Sequence, residues 1–193
     1  MSISTEFART VEGRGLPLPG SYAVDPVHSC VAFQIGHLGI SKVRGRFTDF
    51  SGTVTVAENV AESAVEATIQ AASVDTAQPQ RDAHLRSGDF FGVDANPTVE
   101  FRSTGLQNTG NGWSLRGDLT LCGVTRPVEL SLDFTGAGPD AMGDVSQPRA
   151  AFAAATTIDR TEFGMTFNQA LETGGWLLSK RVRIELDIQA VRR

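Results

Sequence analysis

Apolar residues recur at every second position in one segment after another of this chain, and many of them are small. The runs are Val31-Phe33-Ile35, Val65-Ala67-Ile69-Ala71, Val99-Phe101, Trp113-Leu115, Val128-Leu130-Leu132-Phe134, Phe152-Ala154-Thr156-Ile158 and Val182-Ile184-Leu186-Ile188. Such alternation marks a β-strand with one dry face and one wet face. Short strands at regular spacing with Gly-containing turns predict an all-β protein, an antiparallel barrel or a sandwich. A barrel of about eight strands either fills its inside with side chains or holds one ligand there. Ala67, Ala71, Ala154 and Thr156 at inward positions favour an apolar interior cavity, and hence a hydrophobic small-molecule ligand.

The 193 residues fit one domain, with a core large enough to need no staples. A net charge of −5 argues against a nucleic-acid partner, which would require a clustered basic face. No apolar run approaches the length of a membrane span, so no stable membrane insertion is expected. Most of the basic residues are Arg; only Lys42 and Lys180 are Lys. Cys30 and Cys122 lack metal-type spacing. They read as two free thiols in strands, with a disulfide left to the distance between their backbones. The N-terminus has no basic region followed by an apolar stretch, so the expected location is cytoplasmic, without a secretory signal.

Residues 1–20 predict an extended N-terminal arm, and 21–193 a single barrel domain without internal repeat. Strands are expected over 21–24, 29–38, 64–74, 98–103, 113–121, 127–134, 150–159 and 181–191, with a bent strand or pair over 45–56. One short helix is expected around 80–87, between Gln78-Pro79 and Gly88, with Phe90-Phe91 pinning it to the barrel mouth. Residues 136–148 read as a Gly/Pro-rich connection and 161–175 as irregular.

Gly13-Arg14-Gly15 lacks the later glycine of a dinucleotide loop. There is no phosphate-binding loop, no His-Glu-x-x-His pair and no Gly-x-Ser-x-Gly elbow. The polar and aromatic residues instead follow their own order. It runs Tyr22-x-x-Asp25-x-x-His28-Ser29-x-x-x-Phe33-x-x-x-His37, then Val43-Arg44-Gly45-Arg46-Phe47 and Phe50-x-Gly52. Arg81-Asp82-x-His84-Leu85-Arg86-Ser87-x-Asp89-Phe90-Phe91 and Asn96-Pro97-x-x-x-Phe101-x-Ser103 follow. The last pieces are Gly117-x-Leu119-Thr120-Leu121-x-Gly123-Val124-Thr125-Arg126-Pro127-Val128 and Ile158-Asp159-Arg160-x-x-Phe163-Gly164. As a set, from Tyr22 to Val191, this resembles the YceI-like family of bacterial lipocalin-like polyisoprenoid-binding proteins. Tyr22 stands where the family commonly has Trp. The resemblance implies a lipocalin-like antiparallel barrel of about eight strands, one helix, and an apolar pore holding an isoprenoid chain. Family members are commonly secreted or periplasmic, whereas this chain looks leaderless.

The expected ligand-binding set is Val31, Phe33, Ile35, His37, Ala67, Ile69, Val99, Phe101, Trp113, Leu115, Leu130, Leu132, Phe152, Ile184 and Leu186. His37 shares the parity of Phe33 and Ile35 and is a candidate for the headgroup end of the pore, against the plainer reading of a histidine satisfied by backbone. His28 and His37 lie ~30 Å apart on a straight strand at ~3.3 Å per residue, which disfavours a shared metal. Arg81 and His84 share a helix face, and the favoured reading is a helix docked by salt bridges, with Asp159-Arg160 as partners. No catalytic residue, metal or cofactor is expected beyond a bound isoprenoid lipid or quinone. Two rivals stand beside the carrier: an enzyme with a His/carboxylate site at the mouth, and a filled barrel acting through its surface. Exposed strand edges leave room for a homodimer, though no interface pattern is visible.

Overall fold

Every strand pairing is antiparallel, and the main sheet closes on itself through its two longest-paired neighbours. The computed structural model describes residues 6–140, 147–172 and 174–193. In chain order the first strands are β1 (Ala8–Val11), β2 (Arg14–Pro17), β3 (Gly20–Val24), β4 (Cys30–His37), β5 (Ser41–Phe47) and β6 (Phe50–Val56). Then come β7 (Ala64–Gln70), the short β8 (Val74–Asp75), helix α1 (Pro79–Arg86) and β9 (Thr98–Asn108). β10 (Trp113–Leu121), β11 (Val124–Pro139), β12 (Pro148–Asp159) and β13 (Leu178–Arg192) complete the chain. No described helix is long and apolar enough to cross a membrane.

Eight strands make the closed ring: β3, β6, β7, β9, β10, β11, β12 and β13. β13 carries more than its share of the wall. One edge pairs β12 from Arg181 to Val191. The other pairs β3 through Ala190–Arg192 and β4 through Leu178–Asp187. From β4 the wall runs on to β5 and β8, and the turn before β8 meets β9, where Ala71 N–H donates to Pro97 O at 2.8 Å. The end bearing the β10–β11 turn, the upper end, is therefore walled on one side by β4, β5 and β8. The lower end is walled there by β3, β6 and β7.

The expected elements are present with shifted ends. The segment 45–56 is two strands, β5 and β6, and 64–74 breaks after Gln70 into a 3-10 turn before β8. β11 and β12 extend into the expected connection, of which residues 141–146 lie outside the described residues. Cys30 and Cys122 are free thiols. α1 starts on Pro79 at its first turn, and the Gln78 side chain caps it by accepting from Arg81 N–H.

The expected extended arm is a correction. β1 and β2 pair as a hairpin around Glu12 and Gly13, both at positive φ. Buried Leu16 packs with Trp113 and Val60 against the lower end of the barrel. Arg9 Nη1 donates to Glu58 O at 3.0 Å, and Asn108 Nδ2 to Glu12 O at 3.3 Å. Two four-residue strands are too short for alternation to stand out, so long-range burial, not local pattern, makes this hairpin. Residues 1–5 of the expected arm lie outside the described residues.

Two apolar clusters bracket the interior. The upper one joins Val74, Phe91, Leu119, Leu121, Ile158, Phe163 and Met165; the lower one joins Tyr22, Val56, Ala150, Phe152 and Ala190. Tyr22 is fully buried, and its hydroxyl donates to Leu18 O at 2.7 Å, as a buried phenol requires. Between the clusters, two inward glycines make room for aromatic rings. A Cβ on Gly45 would lie 2.4 Å from Phe33 Cζ, and one on Gly117 would lie 2.4 Å from Phe101 Cζ. Phe33 pairs Gly45 directly across β4 and β5, so its ring occupies the place a side chain would have taken on the next strand. Large aromatics thus lie against the wall and leave the lumen open.

Below, the β3–β4 loop is held by charge. Arg149 on β12 donates from Nη1 to Asp25 Oδ2 at 2.5 Å and from Nη2 to Asp140 Oδ1 at 3.1 Å. His28 Nδ1 and Val27 N–H also bond Asp25, at 2.8 and 2.9 Å. Burial alone would raise the Asp25 carboxyl, but these bonds, led by Arg149, outweigh it and hold the group at about 2.

Two outcomes follow. Gly45→Ala should swing Phe33 toward the lumen, costing about 1–3 kcal/mol. The cost is read as a lower unfolding midpoint with reduced uptake of the apolar dye phenylnaphthylamine. Asp25 in the folded chain lies below the free value of 3.8, so its contribution is complete above that value and is lost as pH falls toward about 2. Asp25→Asn should remove that part of the acid limb, on the order of 1 kcal/mol after solvent screening, in denaturant titrations across the range.

Candidate functional site

The barrel encloses a cavity of about 570 Å³, lined by side chains of β4 to β7, β9 to β13, α1 and the segment after β12. That volume lies inside the ~300–1,000 Å³ of ordinary small-molecule sites. At the ~30 Å³ that one water occupies in the liquid, it holds on the order of twenty non-hydrogen atoms. The lining is apolar over most of its height, as strand alternation dictates: each ring strand turns every second side chain inward.

Val31, Phe33, Ile35 and His37 of β4 line the cavity, as do Ala67 and Ile69 of β7 and Val99 and Phe101 of β9. So do Leu115, Leu130, Leu132, Phe152, Ile184 and Leu186. Ala154 and Thr156 are there too, leaving room on β12. Trp113 is a correction. Its parity is inward, but it sits below the cavity, packed with Leu16 and Val60 under Leu132. Ala71 likewise belongs to the packed core of the upper cluster, in the 3-10 turn. Phe134 packs against Phe152 in a tilted pair, ring centroids 5.8 Å apart, beneath the lumen.

Sequence reasoning missed several lining residues. Val43 and Phe47 of β5 alternate with Lys42, Arg44 and Arg46, but Gly45 between them interrupts the apolar signal. Leu85, Phe90, Met165 and Phe167 come from helix and loops, where no period of two exists to reveal them.

Most of the polar groups lie at the upper end, with Ser51 and Glu66 of β6 and β7 the exceptions. His84 on α1 lines the cavity, its Nε2 2.8 Å from Asp89 Oδ2. Its ring meets Phe90 and Phe167 edge-on at 5.1 and 5.0 Å. Together these close part of the mouth. His37 lies on the same rim, at the end of β4 opposite Leu178.

Arg160 is the unexpected member. Its side chain is almost wholly buried, yet it lines the cavity. Nε donates to Ser179 O at 3.0 Å, and Nη1 to Met165 O at 2.6 Å and Phe167 O at 2.9 Å. Nη2 has no partner among the described residues, nor does any carboxylate form an ion pair with this guanidinium. Burial pulls its pKa below the usual arginine value, partly offset by the nearby Asp159 charge. A buried cation with a spare donor is costly unless something accepts from it.

The salt-bridge latch expected between α1 and Asp159-Arg160 is not formed. Asp159 caps the 3-10 turn after β12, accepting from Thr161 N–H at 2.9 Å. α1 is held instead through Thr76: Asp82 Oδ1 accepts from Thr76 N–H at 2.9 Å and from its hydroxyl, and Arg81 Nη2 donates to Thr76 O at 2.8 Å. Arg86 adds bonds to Ala72 O and Val74 O at 2.7 and 2.9 Å. Local backbone carbonyls are nearer than the far wall, so the arginines use them. Among the described residues no group of three or more His, Cys, Asp or Glu is arranged to hold a metal ion.

Comparison with known proteins agrees with this geometry. The YceI-like domain pattern matches residues 22–190. A UPF0312 protein of Pseudomonas aeruginosa is 36% identical over 182 residues, covering 93% of this chain and 91% of its own. One from Ectopseudomonas mendocina is 40% identical over 171 residues, covering 86% and 88%. Among solved structures, the YceI protein of Campylobacter jejuni superposes with a TM-score of 0.69 at 27% identity, covering 82% of this chain and 90% of its own. BcnA of Burkholderia cenocepacia gives 0.74 at 21% identity, covering 86% and 98%. A polyisoprenoid binding domain from Saccharophagus degradans gives 0.66 at 14%, covering 89% and 98%, a likeness of fold. Matched along most of its length in both sequence and architecture, this chain belongs to the YceI-like domain family.

Proposed function

We propose that the protein holds a hydrophobic isoprenoid, a polyprenyl lipid or isoprenoid quinone, inside the barrel, for storage or carriage and without catalysis. The observation that carries this reading is the largely apolar cavity of about 570 Å³ inside the barrel, with His37, His84 and Arg160 at its mouth. That the Saccharophagus degradans neighbour is a polyisoprenoid binding domain supports the ligand class. Each CH₂-sized group removed from water contributes ~0.8 kcal/mol, so a few isoprene units give useful affinity with almost no hydrogen bonds. The chain lies along Leu115, Leu130, Ile184 and Leu186, and an oxygen of the headgroup accepts from Arg160 Nη2, with His37 beside it. A chain longer than the cavity leaves its remainder at the mouth.

One observation keeps the enzymatic alternative in view: His84 lines the lumen and its Nε2 lies 2.8 Å from Asp89 Oδ2, the form of an acid–base dyad. A single experiment separates the two. Organic extraction of the purified chain followed by mass spectrometry should release a stoichiometric isoprenoid lipid. Ala154→Phe, which narrows the lumen from β12, should fold and yield markedly less of it. An empty barrel that turns over a small apolar substrate, with turnover abolished in His84→Ala, would overturn the carrier reading.

A further inference from the structure

Four large apolar side chains stand exposed among the described residues, and three of them sit around the mouth. Ile40 is 86% exposed, Trp176 62% and Leu38 40%; the fourth, Val27, lies in the β3–β4 loop toward the other end of β13. Leu38 and Ile40 belong to the β4–β5 turn, Trp176 to the segment entering β13, and Leu38 N–H donates to Leu177 O at 2.9 Å, tying the two turns together. One step along the chain leads from each turn into the lumen, since His37, Leu177 and Leu178 line the cavity. Leu38 also holds a φ of 57°, in a region where glycine or asparagine is at ease and leucine is not.

Charge around these tips runs against the rest of the chain. The net charge is −5, yet both lysines of the sequence, Lys42 and Lys180, stand exposed beside this turn pair. Lys42 pairs with Gly36, whose Cα faces Ser179, the residue before Lys180. Arg44 and Arg181 extend the same outer face. Among the described residues these four enter no salt bridge, whereas the neighbouring Arg46 and Arg183 are paired with Asp75 and Glu185. The acids close by are Asp159, whose carboxylate accepts from Thr161 and whose charge also reaches Lys180, Asp89, which pairs with His84, and Glu172.

We infer that this rim docks the mouth of the barrel on an anionic lipid bilayer. Leu38, Ile40 and Trp176 enter the interfacial layer, and Lys42, Arg44, Lys180 and Arg181 meet the headgroups. Apolar tips with a basic surround are what partitioning into such an interface requires. An apolar ligand then passes between bilayer and lumen without crossing water.

The test uses the full chain with vesicles of phosphatidylcholine, with or without phosphatidylglycerol. Trp176 is the exposed member of the two tryptophans, Trp113 being buried, so any shift in emission reports the rim. Flotation with the phosphatidylglycerol vesicles, a blue-shifted emission and weakening by salt are expected. Ile40→Asp and Trp176→Ser should each reduce partitioning by about tenfold, the effect of withholding one large apolar side chain. Lys42→Glu with Lys180→Glu should abolish the preference for phosphatidylglycerol. Because these side chains are exposed, each variant should keep its unfolding midpoint and whatever lipid it carries on extraction. Absence of flotation with either vesicle, or flotation unchanged in Ile40→Asp, overturns the inference. So does a dimer in solution that Ile40→Asp dissolves, which would assign the patch to a second copy. Docking by a chain that extracts empty sinks the carrier reading and leaves this one standing, and a loaded chain that never floats does the reverse.

Discussion

A sheet that closes on itself has no edges to spare, and its strand number sets how much space it surrounds. The side chains inside must then fill that space or leave it vacant. Eight strands surround enough room for a packed core, and this chain has the aromatic residues to build one. It stays hollow because Gly45 and Gly117 lack the atom that would push Phe33 and Phe101 off the wall. Ala67, Ala154 and Thr156 add further clearance at the same height. The cavity is thus a consequence of where the aromatic rings rest, and the affinity of the site is a consequence of the cavity.

Most of the polar groups in the described lining, His37, Thr76, Arg81, His84, Arg160 and Gln169, lie near the mouth, where the regular strands give way to helix and loop. Arg160 bonds two carbonyls of the segment between β12 and β13 and that of Ser179 at the start of β13, and in doing so shapes the rim that Phe167 and Leu178 complete. Its remaining N–H edge is the strongest unspent donor there. The same residue therefore orders the entrance and offers a contact to whatever enters.

Much of the barrel was legible because the period of two fixes which side of a strand a residue faces. Val31, Phe33, Ile35 and His37 needed only that rule, and all four face the lumen. Depth along the barrel axis carries no such signature. Trp113 faces inward as its parity requires, yet it lies under the floor, because a hairpin distant in sequence brings Leu16 beneath it. The hairpin itself was hidden by its shortness. Arg160 was read as an ion-pair partner for α1, since sequence displays charges and conceals the backbone carbonyls that compete for them. The residues of helix and loop that reach the lumen, Leu85, Phe90 and Phe167 among them, have no periodic neighbour to betray them.

The floor of the barrel is made of side chains, not of backbone. Tyr22, Phe152 and Phe134 stop it at one level, and Trp113 with Leu16 backs them. In a tube bored by strands, such a stopper acts as a ruler: the ceiling is fixed by the fold, while the bottom moves with the bulk of a few residues. Relatives with slimmer groups at these positions would have a deeper bore on the same framework, so the length of tail accommodated can diverge without any strand being added or lost.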